Sequence, residues 1–180
     1  VIIAGELIVA LQSIVSRNIN PGQTAVLSIT QVHAGDAYNV IPGSARLSGT
    51  VRTLDMKLMA RIETRVREMV SGICAAHGAT GIVDYRITFH TVQNDATVSA
   101  FAADVCDELV GKENVYREGN PGTGSEDFSF MSEQVPSCYL NLGNGKDSHS
   151  LHNHDYDFND EALSYGASFF ARVVEKSLTE

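Results

Sequence analysis

Basic residues are scarce: 13 Lys and Arg stand against 22 Asp and Glu, for a formal net charge of -9. No positive surface is therefore available to neutralise a phosphate backbone, which argues against nucleic acid as a partner. Cysteine is also sparse. Cys74, Cys106 and Cys138 are odd in number, far apart and each set in an apolar stretch. They supply neither a disulfide framework nor a Cys-x-x-Cys metal knuckle, and a reducing cytoplasm is the compartment this usage fits. Long apolar runs are missing too. The longest, around residues 7–11, is much too short to span a bilayer, and no charged leader with a small-residue cleavage site precedes it, so neither membrane insertion nor secretion is expected. Repeats and low-complexity tracts are absent. The chain also lacks an initiator Met and a capping residue, since Val1 opens inside a helical pattern with no Ser, Thr, Asp or Asn ahead of it. The expectation is an N-terminal truncation.

What is present is ordinary globular material. The chain has 180 residues, of which 43% are hydrophobic, enough for one domain or two small ones with a real core. Ala4, Leu7, Ile8, Leu11, Ile14 and Val15 recur at three- and four-residue steps, the signature of one face of an amphipathic helix. Residues 24–32 are rich in β-branched side chains, with Ala25, Leu27 and Ile29 on one face. In residues 45–53, Ala45, Leu47 and Val51 alternate with Arg46, Ser48, Thr50 and Arg52. Both read as strands. Leu58, Ile62, Val66, Met69, Val70 and Ile73 then mark a second helix, ended by Gly78. A third strand is expected where Val83, Tyr85, Ile87 and Phe89 alternate with polar residues.

The order helix, strand, strand, helix, strand is that of a ferredoxin-like split βαβ unit lacking its first strand, and it leaves a sheet edge in want of a partner. A boundary near residue 93 separates this α+β part, residues 1–92, from an α/β part, residues 93–180. The second part is expected to hold a helix capped by Asn94 or Asp95 and stopped by Gly111. A Gly- and Ser-rich loop over 119–125 follows, then a short helix over 126–132, a buried strand over 138–142, a His/Asp loop and a final helix over 159–177. Helices around one apolar strand suggest an α/β layer whose other strands come from elsewhere.

Chemistry is concentrated in residues 147–157, where His149, His152 and His154 lie among Asp147, Asp155 and Asp157. Imidazole and carboxylate are the usual ligands of zinc and manganese; a solvated loop ahead of a helix is the other reading. Arg52 sits on the wet face of its strand, either as a planar donor fork for an acid group or as a plain exposed arginine. Asn39 begins Asn39-Val40-Ile41-Pro42-Gly43, which is also a turn sequence. Gly124 and Ser125 precede a helix and either face an anion with backbone N–H groups or simply cap it through Ser125. His33 ends a strand, as a surface histidine or as a neighbour of an anion site. His77 and His90 read as structural or solvated.

The strings Gly124-Ser125-Glu126-Asp127-Phe128, Leu151-His152 and Asp157-Phe158-Asn159-Asp160 resemble the C-terminal motifs of the peptidase-like metal-dependent amidohydrolases. That family includes hippurate hydrolases, N-acyl-amino-acid amidohydrolases and the plant hydrolases of auxin conjugates. Two earlier strings match as well: residues 33–42, His-Ala-Gly-Asp-Ala-Tyr-Asn-Val-Ile-Pro, and Gly49-Thr50-Val51-Arg52. The resemblance implies the C-terminal part of a three-layer α/β hydrolase domain preceded by a ferredoxin-like lid that forms a homodimer. It implies two divalent metals per site in the full enzyme, zinc or manganese, with cobalt or nickel possible, and a small-molecule N-acyl or N-aroyl amino acid as substrate. His152 matches a metal ligand; Asn39 and Arg52 match a clamp for the substrate carboxylate, with His33, Gly124 and Ser125 as further substrate contacts. No catalytic residue is expected in this chain, the general-base Glu and the other ligands being placed upstream of Val1. The alternative is a module that only dimerises or binds a ligand.

Overall fold

The computed structural model describes residues 1–119 and 121–178. They form two compact units. The first comprises Val1–Thr91 with Pro121–Glu126, and the second Val92–Asn120 with Asp127–Glu180.

In the first unit, helix α1 (Ile2–Asn18) leads into strand β1 (Ala25–His33), then β2 (Arg46–Thr53) and helix α2 (Met56–Ala76). The α1 periodicity is realised as a buried stripe of Ala4, Leu7, Leu11 and Ile14. Helix α2 starts on Asp55, whose carboxylate accepts the Lys57 N–H at 2.8 Å. At its far end Gly78 takes φ +66°, and the Ala79 and Gly78 N–H groups close on the Cys74 and Ala75 carbonyls, a Schellman stop that a Cβ would disfavour.

The two strands pair antiparallel, with Leu27 opposite Val51, Val26 opposite Arg52 and His33 opposite Arg46, and the register slips between Ile29 and Gln31. Leu11 and Ile14 of α1, Leu27 of β1, and Leu58 and Ile62 of α2 make the core, flanked by Ile29, Val51, Val66 and Met69. Both helices thus cover one face of the ribbon. Arg52 and its alternate neighbours stand on the other.

The third strand expected over 83–89 does not form a ladder: the sheet has two strands. Val83 and Tyr85 are still half-buried, while Asp84 and Arg86 are exposed. Period-two alternation specifies a face, but a strand also needs a neighbour's backbone, and among the described residues none pairs with this segment. Its Val83 carbonyl accepts instead from Arg67 Nη1 at 2.8 Å, and the Tyr85 hydroxyl donates to Met59 Sδ at 3.0 Å.

Burial, assisted by the Glu63 carboxylate, pushes the Tyr85 phenol up to about 12. A pKa raised on folding contributes stability fully present below the unfolded value near 10 and lost as pH rises through the folded value. Thermal melts between pH 9 and 12 are expected to fall more steeply for the wild type than for Tyr85→Phe. Parallel curves would show that this phenol is not linked to folding.

The second unit holds α3 (Ala96–Val110), a 3₁₀ turn (Lys112–Asn114), α4 (Phe128–Ser132) and α5 (Ala162–Leu178). Of the two candidate caps, Asp95 is the one used, accepting the Thr97 and Val98 N–H groups at 2.9 Å. Its neighbour explains why the strand expected over 138–142 is missing. The Asn94 amide accepts from Tyr139 N at 2.8 Å and donates to Tyr139 O at 3.0 Å, so a side chain takes the bonds a neighbouring strand would supply. Arg172 and Lys176 of α5 both pair with Glu108 of α3. No helix among the described residues is long and apolar enough to cross a membrane.

Candidate functional site

Arg52 lies near the end of β2, opposite Val26, with its side chain exposed. Its Nη1 donates to the Thr123 carbonyl at 2.6 Å, a contact between residues 71 apart in sequence. That bond brings the segment 121–126 to the strand, so Arg52 and the Gly124-Ser125 pair share one neighbourhood in the first unit. A single carbonyl uses one of five guanidinium donors, leaving the planar fork able to take a carboxylate.

The helix-start argument for Gly124 and Ser125 fails. Helix α4 begins at Phe128 with Asp127 as its N-cap and no side-chain capping bond. Ser125 is therefore not the cap, and both residues precede the helix by too much for its dipole to act on a ligand there. Any anion contact they make must come from loop N–H groups beside Arg52.

Asn39 and His33 are not brought to Arg52. His33 closes the other end of the hairpin opposite Arg46, and the six steps of β2 from Arg46 to Arg52 amount to roughly 20 Å. Asn39 lies beyond His33 in the connecting loop, where the Val40 N–H bonds the Ala37 carbonyl at 3.3 Å. It borders a hollow with the exposed Tyr38, Val40 and Ile41, whereas Arg52 and Ser125 border a different one.

In the second unit, His152 is the one described non-glycine residue with positive φ, at 66°. The left-handed region costs an L-residue with a Cβ roughly 1 kcal/mol or more, and such outliers gather at functional sites. The surrounding loop is held in place by Asn144, whose importance sequence reasoning missed. Its Nδ2 donates to Ser148 Oγ at 2.6 Å and to the Asp157 carbonyl at 2.8 Å, and its Oδ1 accepts the Asn159 N–H at 2.8 Å. One amide thus pins both ends of the His/Asp loop. Within it, Asn153 Oδ1 accepts the Asp155 N–H at 2.9 Å and His154 pairs with Asp155 at 3.2 Å. The Asn144-Gly145 dipeptide, with Gly145 at φ 102°, was the available signal.

The density of His and Asp in sequence does not become a cage. No group of three or more His, Cys, Asp or Glu side chains among the described residues is placed to hold a metal ion. A structural or catalytic site needs three or four protein ligands, so these residues do not by themselves fit a complete centre. His152 offers one exposed imidazole on a fixed backbone.

Comparison with known proteins places these residues in context. A model of peptidase family M20/M25/M40 matches residues 11–176. Hippurate hydrolase of Campylobacter jejuni is 37% identical over 175 residues, covering 97% of this chain and 45% of that protein. N-acetylcysteine deacetylase of Bacillus subtilis is 36% identical over 172 residues, 95% of this chain and 44% of that one. Among solved structures, a dinuclear metal binding peptidase of family M20, also from Bacillus subtilis, superposes with a TM-score of 0.78 at 31% identity, over 96% of this chain and 44% of its own. The chain thus spans less than half the length of these relatives.

Proposed function

The chain belongs to peptidase family M20/M25/M40, and from that membership we propose that it is part of a metal-dependent amidohydrolase cleaving the amide bond of N-acyl or N-aroyl amino acids. The family match over residues 11–176 is the observation that carries the reading. The hippurate hydrolase and the N-acetylcysteine deacetylase among its relatives add to it, since hippurate and N-acetylcysteine are both amino acids acylated on nitrogen and both keep a free carboxylate.

The roles follow from chemistry. Arg52 is the group for that carboxylate: a delocalised, permanently charged fork at the end of a strand, oriented by the Thr123 carbonyl. Loop N–H groups at Gly124 and Ser125 are the neighbours able to assist. His152 would supply one imidazole to a divalent ion, zinc or manganese, whose Lewis acidity would serve amide hydrolysis; the remaining ligands and the general-base glutamate would come from polypeptide outside this chain. The first unit is the lid, of ferredoxin-like type, and the second belongs to the hydrolase domain. Because Asn39 and His33 sit at the opposite end of the hairpin from Arg52, their part in holding the same substrate requires a second copy, in keeping with a homodimer formed through the lid. Cytoplasmic location fits the cysteine usage.

The complete protein, supplied with zinc or manganese, is expected to hydrolyse hippurate or an N-acetyl amino acid. Arg52→Leu should raise KM about 10- to 100-fold with kcat little changed, the loss of a charge-assisted bond of about 1.5–3 kcal/mol. The matching substrates with the carboxylate converted to an amide should be insensitive to the substitution. Absence of turnover on every such acyl amino acid would refute the activity; equal effects of Arg52→Leu on acid and amide substrates would refute the role of the arginine.

A further inference from the structure

Residues 145–158 of the second unit form a loop whose two ends are drawn together by one side chain. Asn144 Nδ2 donates to the Asp157 carbonyl at 2.8 Å and Asn144 Oδ1 accepts the Asn159 N–H at 2.8 Å, so the residue at the entrance grips the two positions at the exit. The amide's other hydrogen goes to Ser148 Oγ at 2.6 Å, and that hydroxyl donates to the His149 carbonyl at 3.1 Å. Both donors of the amide are thus in use. The exit is itself fixed: Asn159 Oδ1 accepts the Glu161 N–H at 3.1 Å and the Asn159 carbonyl accepts the Ala162 N–H at 2.9 Å, which ties it to the first turn of α5.

Inside the loop the bonds are short-range. The Asn153 N–H meets the Ser150 carbonyl at 3.1 Å, the Tyr156 N–H meets the Asn153 carbonyl at 3.1 Å, and the Asp155 N–H meets Asn153 Oδ1 at 2.9 Å. Among the described residues, no hydrogen bond of 145–156 leaves the loop except the one to Asn144. Within this segment His152 holds φ 66°, a conformation that an L-residue keeps only where the chain on either side is constrained. Its imidazole is exposed, so the backbone rather than a packed surrounding sets its direction. A compact loop closed at its ends supplies that constraint, because joining the ends removes most of the chain's alternative paths.

We infer that Asn144 is a positioning residue: by closing the 145–158 loop onto the start of α5 it fixes the left-handed backbone of His152 and, through it, the direction of the imidazole. The amide touches no reacting atom. It acts on the histidine at a distance, through loop ends that no other hydrogen bond joins among the described residues. The role rests on the hydrolase reading in one respect, the use made of that imidazole; its effect on the backbone of His152 does not depend on it.

Two readouts on the complete protein test it, neither of them turnover. In metal-free protein carrying ¹³C-labelled histidine, His152 of the wild type is expected to give one set of Cα and Cβ resonances at left-handed positions, and Asn144→Ala to give several sets or an averaged one. Asn144→Asp keeps the shape and the acceptor but loses both donors, and should do the same, which covers the case in which the alanine variant does not fold. Zinc affinity, read by competition with a chelator, should fall about 10- to 100-fold in either variant, the usual loss when a group that orients a metal-binding histidine is removed. Ser148→Ala, which leaves the ties to Asp157 and Asn159 in place, should change neither readout. Unaltered His152 resonances in the Asn144 variants would overturn the inference, as would an effect of equal size in Ser148→Ala. If His152→Asn leaves zinc affinity at the wild-type value, the hydrolase reading fails instead, and the resonances still decide the role of Asn144.

Discussion

Replacing His152 by Asn in the complete protein is expected to remove about 10³-fold or more of its amide hydrolysis while leaving thermal stability unchanged, the loss of several kcal/mol of transition-state stabilisation that a missing metal ligand implies. Asn is chosen because the backbone at this position is left-handed, with φ 66°, and Asn tolerates that region. Loop conformation is thereby preserved while the imidazole is removed. His152→Gly sharpens the contrast: it relieves the local strain, so the melting temperature should hold or rise, yet activity should be lost to the same extent. Activity within tenfold of wild type in both variants would show that the imidazole is not needed, and the strain would then require another explanation.

The second large effect is on folding. Gly49→Ala is expected to destabilise the first unit by about 3 kcal/mol, the upper end of what overpacking costs. A Cβ at Gly49 would lie 2.1 Å from the Ser28 carbonyl oxygen and 3.0 Å from Ile29 Cα. Those are backbone atoms, so no side-chain rotation relieves the overlap. The position is the one facing the register slip between Ile29 and Gln31, where the partner strand crowds in. Gly72→Ala is the control, since a Cβ there meets nothing within 4 Å and the residue lies inside α2; it should raise stability by about 0.5–1 kcal/mol. Chemical denaturation of the two variants reads both directions, and equal stability of Gly49→Ala and wild type would contradict the strand pairing.

Local structure was legible in the sequence wherever it depends on local pattern. The stripes at Leu7, Leu11 and Ile14 and at Leu58 and Ile62 became core, Gly78 ends α2 as its position suggested, and β1 and β2 fall within a residue of their expected limits. The two strands that did not form, at 83–89 and 138–142, show the limit of that method. Alternation tells which side chains face the core, but a ladder is a non-local property and the sequence of one segment does not reveal whether a partner stands beside it.

The candidate site divides along the same line. Exposure of Arg52 followed from the alternation of its strand, but its bond to Thr123, 71 residues away, did not. The family motifs pointed to His152 without indicating its left-handed backbone. Asn144 went unnoticed, because its three bonds reach residues four, thirteen and fifteen positions further on. Two neighbouring motifs did not reveal that the length of the hairpin lies between Asn39 and Arg52.

The proposed function requires His152 to be one ligand of a hydrolytic metal centre. Crystals of the complete protein grown with zinc, with the ion located by its anomalous scattering, test it most directly. The account predicts an ion about 2.0–2.1 Å from a ring nitrogen of His152. An ion bound elsewhere, with that imidazole left in solvent, would contradict it.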